Sequence, residues 1–388
     1  MKIKTNVFSL LIVCTGLFLT SCWPDNDPAA TRTVLVYMAA DNSLNPFSYD
    51  NINSIVAGAE QYGLNNGNLL IYHDSSGEPP RLIQITKGAG GAMEQKIIRT
   101  YEERNSVSID VMRGVLAEVF LSEDYRADSY GLLLWSHGTA WLPGYELKSY
   151  LRAYGQDDSD YMEIYDLKEA LLGYQFDYII FDDCYMANIE VAYTLRDRTG
   201  YILASPTEVL ADGLPYRYIL PYLFSDEPVA NALKKIGETF YSYYNEQNHL
   251  PKSASIALVK TQKLGELAAV CREILSDKSP ETIFSLPLRD IQLIERLGQP
   301  YHALYDFGDY IKQLATEEQY ARFKNALKEV VIYQNTTDIA YYNAEGGQPG
   351  FPVDKERFCG ISSYVPQEAL TKLNEWYKQL DWYKAVYE

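Results

Sequence analysis

The chain has 388 residues, 47% of them apolar and 22% charged, enough for a large core in one big domain or two ordinary ones. Lys and Arg number 34 against 52 acidic residues, a net charge of −18, which excludes the basic surface that a nucleic-acid partner requires. No internal repeat and no low-complexity linker divides it.

Residues 1–21 hold Lys2 and Lys4, an apolar stretch from Val7 to Leu19 and then small residues. That is secretory-signal anatomy, with an apolar run too short to span a bilayer. Leu19-Thr20-Ser21-Cys22 resembles a bacterial lipobox, which implies lipid attachment at Cys22, a membrane partner through that anchor, and a place on the cell envelope at the outer membrane. Residues 22–31 read as a polar tether.

Thr33–Ala40 is an apolar run suited to a central strand, and Asp41, Asn42 and Ser43 offer cap chemistry for a helix through residues 52–60. Leu69–Tyr72 reads as a strand, and residues 81–86 and 95–99 as short strands or a hairpin at one side. The spacing of Ile109, Met112, Val115, Leu116 and Val119 predicts a helix over 108–120. Gly131–Trp135 and residues 178–181 have no polar alternation, as in strands covered on both faces. Between them lies a long connection, 138–160, followed by a short helix capped by Asp166 and ending at Gly173. A helix opening at Cys184, a strand at Tyr201–Ala204 and a loop over 205–216 complete this part.

Strand–helix alternation predicts an α/β fold, a three-layer α-β-α sandwich with a mostly parallel central sheet over residues 32–214. Residues 215–388 read as a helix-rich portion completing the fold. Its helices are placed at 229–246, 263–276, 303–315, 317–329 and 366–386, and its strand pieces at 254–259, 329–333 and 359–364.

In open α/β sheets the ligand crevice lies at the carboxyl ends of the strands. Two of these strands end in reactive residues there, His137 and Cys184. Once the signal is removed and Cys22 is acylated, Cys184, Cys271 and Cys359 remain, an odd number that leaves at least one thiol unpaired. Cys271 sits on an apolar helical face and Cys359 begins a strand, both as packing residues. At the start of a helix, and near His137, the Cys184 thiol would be acidified. Of the other histidines, His249 reads as solvated and His302 as a packing or capping residue entering a helix. His73, beside Asp74 at a strand end, leaves open a different hydrolase or transferase. Asp157, Asp158 and Asp160 form an acidic cluster that would suit Ca²⁺, although EF-hand spacing is absent; no cofactor is required.

The segments TVLVYMAADNSL (33–44), LLLWSHGTAW (132–141), FDYIIFDDCYMANIEVAY (176–193) and ASPTEVLADGLPY (204–216) occur in the order, and with the character, of the clostripain-like cysteine peptidases, relatives of caspases, gingipains and legumains. The resemblance implies a caspase-like fold, with His137 as base and Cys184 as nucleophile. It implies the N–H groups of Gly138 and Cys184 as oxyanion donors, and Asp182 and Asp212 as acids of a pocket for Arg or Lys. The implied partners are protein or peptide substrates with Arg or Lys at the cleaved position, and self-cleavage is implied at Lys148 or Arg152. Asp183 departs from the family, in which a small residue normally precedes the cysteine; a carboxylate facing the thiol would raise its pKa. The alternative is a catalytically inactive, peptide- or glycan-binding lipoprotein on the same scaffold.

Overall fold

The structure, a computed structural model, describes residues 30–143, 154–246, 252–295, 302–340 and 350–388. Cys22, Lys148, Arg152 and His249 lie outside the described residues.

Nine strands form one sheet. In chain order the strands used below are β1 (Thr33–Ala40), β2 (Asn68–Ser75), β3 (Glu78–Lys87), β4 (Met93–Thr100), β5 (Tyr130–Trp135), β6 (Tyr154–Asp157), β7 (Asp160–Met162), β8 (Phe176–Asp182), β9 (Thr199–Ala204), β10 (Ser255–Lys260), β11 (Leu304–Asp306) and β12 (Val331–Thr336). The sheet order is β12-β10-β9-β8-β5-β1-β2-β3-β4. Its centre, β9 to β2, is parallel, but both flanks are antiparallel. The centre is the expected parallel sheet of an α-β-α sandwich, and the flanks make the whole sheet mixed: β3 and β4 form a meander at one edge, and β10 and β12 come from the helix-rich portion at the other.

The helices are α1 (Asn45–Tyr62), α2 (Ile109–Phe120), α3 (Ile164–Ala170), α4 (Ile189–Leu195), α5 (Tyr216–Leu223), α6 (Val229–Glu246), α7 (Leu264–Leu275), α8 (Pro280–Phe284), α9 (Phe307–Leu314), α10 (Glu317–Val330), α11 (Thr371–Tyr377) and α12 (Asp381–Tyr387). Alternate residues of each strand face opposite sides. Val34, Val36 and Met38 pack under α1, α5 and α6, while Leu35, Tyr37 and Ala39 pack under α2, α3 and α4. All eight residues of β1 are buried, which is why its sequence shows no alternation.

This connectivity fixes the site. The chain leaves β1 in one direction, through α1 to β2, and returns to build β5, β8 and β9 on the other side with α2, α3 and α4 on the opposite face. The switch point lies between β1 and β5, and a crevice opens there at the carboxyl ends.

Several local expectations change. Helix α1 begins at Asn45 with Pro46 in its first turn, and no side chain caps it; Asn42 instead accepts a hydrogen bond from the Leu44 N–H at 2.9 Å. Asp166 lies inside the first turn of α3, not at its cap. The predicted 366–386 helix is two, because Leu380 is extended and Asp381 is held by Lys168 Nζ at 2.6 Å and by the Tyr165 hydroxyl, which accepts from its N–H at 2.9 Å. His302 precedes β11 rather than a helix, with Nδ1 3.4 Å from Glu295.

Candidate active site

Parallel pairing sets Trp135 of β5 opposite Asp182 of β8. Two residues further on, each chain reaches its reactive side chain, and His137 and Cys184 line one pocket of about 330 Å³. The remaining walls come from Ser43, Leu44 and Phe47 after β1, from Trp135, Ser136, Asp182 and Asp183, and from Glu208–Ala211 and Gly213.

Cys184 does not begin a helix. It lies in a turn, and α4 starts only at Ile189, where the Asn188 side chain accepts from the Val191 N–H. Tertiary hydrogen bonds take the place of helix here: the Tyr185 N–H donates to Thr207, the Ala187 N–H to Ser205, and the Ser362 N–H to Ala187. Tyr185 adopts φ 66, a left-handed conformation that costs a non-glycine residue energy and is held by these contacts. The helix-dipole acidification expected for the thiol is therefore absent. Burial, then the Glu208 carboxylate, then Asp183 and Asp182 push the thiol well above its usual value, against the Val209 N–H, which donates to Sγ at 3.3 Å. The Val209 carbonyl lies 3.7 Å from the same sulfur. These surroundings favour the protonated sulfur.

His137 is half-buried, with Nε2 3.0 Å from Ser43 Oγ. Its carbonyl accepts from the Gly155 N–H at 2.8 Å, which ties it to the β6–β7 hairpin. Gly138 is needed for close approach: a Cβ there would sit 2.8 Å from the Cys184 carbonyl oxygen and 2.9 Å from Asp183 Cβ.

The acids are distributed differently from the expectation. Asp182 is buried in the pocket wall, accepting from the Leu214 N–H at 3.0 Å and from the Tyr216 hydroxyl at 2.8 Å. Burial raises it to about 6 against those two bonds. Asp212 is exposed and not part of the wall; its carbonyl accepts from Asn51 Nδ2 at 2.9 Å. Glu208, from the same loop, does line the pocket, its Oε2 accepting from the Tyr185 hydroxyl at 3.4 Å. Asp183 is fully buried, with Oδ1 taking the Ser136 N–H and Oδ2 unpartnered. Burial and neighbouring Asp182 push it well above the carboxylate range, so it is held toward its neutral form.

The other candidates separate. His73 and Asp74 project from opposite faces of β2. His73 bonds Ser48 at 2.8 Å and is lowered to about 4 by burial and Arg81, whereas Asp74 meets Ser106 on the other side. Strand periodicity thus prevents the pair from acting on one substrate atom. Asp157 turns inward to the Ser106 N–H, Asp160 takes Asn105 Nδ2 at 2.7 Å, and Asp158 occupies the hairpin turn with φ 47. The Ca²⁺ cluster does not converge, and among the described residues no group of three His, Cys, Asp or Glu could hold a metal ion. Cys271 is buried, and Cys359 bonds the Gly308 N–H and Ile361 carbonyl at 3.2 Å each.

A cysteine and a histidine at the carboxyl edge of a mixed α/β sheet, at its switch point, define a cysteine protease of caspase-like fold. The chain belongs to the clostripain family, Peptidase C11, whose family model matches residues 36–388. An inactive zymogen C11 protease from Parabacteroides distasonis shares 44% identity and a TM-score of 0.84, over 93% of this chain and 99% of that one. A secreted C11 cysteine protease from Bacteroides thetaiotaomicron, in complex with an irreversible peptide inhibitor, shares 32% identity and a TM-score of 0.79, over 92% and 99%. A clostripain from Bacteroides thetaiotaomicron in complex with the peptide inhibitor BTN-VLTK-AOMK shares 28% identity and a TM-score of 0.51, over 61% and 99%. A comparison with curated proteins finds no match. The protein is a clostripain-like cysteine protease.

Proposed function

We propose that the chain is an endopeptidase cleaving after Arg or Lys, with His137 and Cys184 as its working pair. The observation that carries this reading is the pocket that holds His137, Cys184, Asp182, Asp183 and Glu208 together. Proton transfer from Sγ to the imidazole creates a thiolate, which attacks the scissile carbonyl. The oxyanion then rests on the N–H groups of Gly138 and Cys184, neither of which donates to another group among the described residues. His137 returns the proton to the leaving amine, and water releases the acyl group.

A basic side chain suits the pocket because a buried cation needs carboxylate partners. Asp182 and Glu208 supply them from its wall; Asp212, exposed beside the wall, adds charge at the rim. The lysine-ended inhibitor bound by the 28%-identical relative points the same way. The protonated thiol, gripped by Val209, fits a latent precursor activated by self-cleavage after Lys148 or Arg152, as does the likeness to an inactive zymogen. The N-terminal residues support export and anchoring to the envelope through lipidated Cys22.

The test is a fluorogenic panel with Arg, Lys, Asp, Asn and Leu at the cleaved position, with Cys184→Ala as control and N-terminal sequencing of the fragments present. Turnover of only the Arg and Lys substrates, lost in Cys184→Ala, is expected. Turnover that survives Cys184→Ala, or a preference for Leu or Asp, overturns the reading. An active preparation holding only intact chain overturns the self-cleavage step.

A further inference from the structure

We propose that Ser43 is a third, positioning member of the site, fixing the tautomer and orientation of His137; this rests on the assignment of His137 and Cys184 above. The Ser43 hydroxyl lies 3.0 Å from His137 Nε2. If the hydroxyl accepts from an Nε2–H, the neutral ring keeps its lone pair on Nδ1, which leaves that nitrogen to take the thiol proton. After transfer the same hydroxyl accepts from the imidazolium, so the bond is stronger in the thiolate–imidazolium state than before it. A hydroxyl does this without adding charge to a pocket that already holds three carboxyl groups.

The turn that presents Ser43 is built for rigidity. The Asn42 amide nitrogen donates to the Ala39 carbonyl at 2.9 Å, to the Gln156 carbonyl at 2.9 Å, and reaches Ser136 Oγ at 3.5 Å. Asn42 Oδ1 takes the Leu44 N–H at 2.9 Å, and the Asn42 N–H closes on the Ala40 carbonyl at 2.8 Å. Ser136 Oγ in turn donates to the Ala39 carbonyl at 2.8 Å and accepts from the Gln156 N–H at 3.0 Å. The residues before Ser43 and before His137 are thus stitched to each other and to the β6–β7 hairpin, so that the two side chains meet with little freedom. Switch-point topology explains why: β1 and β5 are neighbours, and their carboxyl-end turns are adjacent.

The experiment compares full-length wild type, Ser43→Ala and Ser43→Thr by two readouts. One is the pH–rate profile for alkylation of Cys184 by a neutral reagent; the other is kcat and KM on the best substrate of the panel. Losing the acceptor disfavours the imidazolium and hence the thiolate. Ser43→Ala should shift the alkylation profile to higher pH and lower kcat roughly tenfold, the scale of a one-unit pKa shift, with little change in KM. Ser43→Thr, which keeps the hydroxyl, should restore both. Ser43 is exposed, so all three proteins should melt alike. An unshifted profile with unchanged kcat in Ser43→Ala overturns the inference, and so does faster alkylation, which would mean that Ser43 restrains the ring. Because alkylation needs no substrate, it tests Ser43 even if no panel peptide is cleaved, an outcome that would count against the peptidase reading alone.

Discussion

At Cys184 the surrounding charge works against the chemistry proposed for the residue. Glu208 is the strongest charged influence on the thiol, and together with burial it holds the sulfur protonated. A cationic substrate side chain entering the same pocket, as proposed, would offset that carboxylate, so an acid that selected such a substrate would also keep the empty site quiet. The sign is testable without substrate. Glu208→Gln removes a negative charge that disfavours thiolate, so the thiol pKa falls and alkylation near neutral pH accelerates, by roughly tenfold for each pH unit that the profile moves down. A profile that stays in place or moves to higher pH would sink this assignment. Asp183, the residue that departs from the family pattern, is a lesser influence. Its buried carboxyl is anchored by the Ser136 N–H and held toward neutrality, so the departure is absorbed structurally.

The site is a meeting of four turns, after β1, β5, β8 and β9, and their close fit is tightest where Gly138 passes Cys184. Gly138→Ala would press a methyl group against the Cys184 carbonyl oxygen and Asp183 Cβ, both backbone or near-backbone atoms that cannot swing aside. Overpacking of this kind costs about 1–3 kcal/mol, read as a lower melting temperature, and displaces the Cys184 turn, with loss of most activity. Full activity with unchanged melting would show that the approach is looser than drawn. At this scale the sequence is partly legible. His137 and Cys184 can be found because two strands without polar alternation end in them, and parallel pairing makes strand ends neighbours. The turn after Cys184 reads as helix because its bonds run to Thr207, Ser205 and Ser362, up to 175 residues away in sequence, where no local pattern reveals them. The loop over 205–216 reads correctly as part of the site. Which of its acids lines the pocket depends on a turn closed by the Gly213 N–H on Leu210, so sequence alone favours Asp212 where Glu208 is in the wall. Ser43 reads as a helix cap, since nothing local distinguishes a cap from a residue reaching across to another strand's turn.

Across the whole molecule, the helix-rich portion is part of the machinery rather than an appendage. It supplies β10 and β12 to the sheet, and its Ser362–Tyr364 segment bonds Ala187, Asn188 and Glu190 behind the Cys184 turn. Trp141, four residues after His137, stacks on Tyr377 at 5.8 Å. The alternating β and α pattern before residue 205 announces the layers, whereas the antiparallel flanks and the split terminal helix depend on partners far along the chain. The molecule also carries buried carboxyls away from the pocket, and these make its stability depend on pH. Asp74 and Asp157 meet at Ser106, which gives its hydroxyl to Asp74 and its N–H to Asp157. Tyr37 and Tyr72 bond Ser106 from one side, Arg104 Nε reaches the Tyr72 hydroxyl at 3.4 Å, and the charges of Glu103 and Asp41 act on the cluster. Burial raises both acids, Asp157 and Glu103 adding to it at Asp74 and Asp41 and Glu103 at Asp157, so the folded pair retains a proton where the unfolded chain, with carboxyl pKa values near 4, has lost it. Over that window the native state binds more protons, and stability falls as pH rises. Asp182, Glu190 and Asp306 are also raised by burial and contribute with the same sign. Asp74→Asn keeps an acceptor for Ser106 and provides a permanent donor for Asp157, while removing one ionisation from the cluster. Its stability relative to wild type should therefore increase steadily between about pH 5 and pH 8, the window above the ordinary carboxyl range. Denaturant midpoints measured across that window check this: a wild-type-minus-variant difference that is flat with pH, or that reverses, would show that Asp74 does not hold the proton.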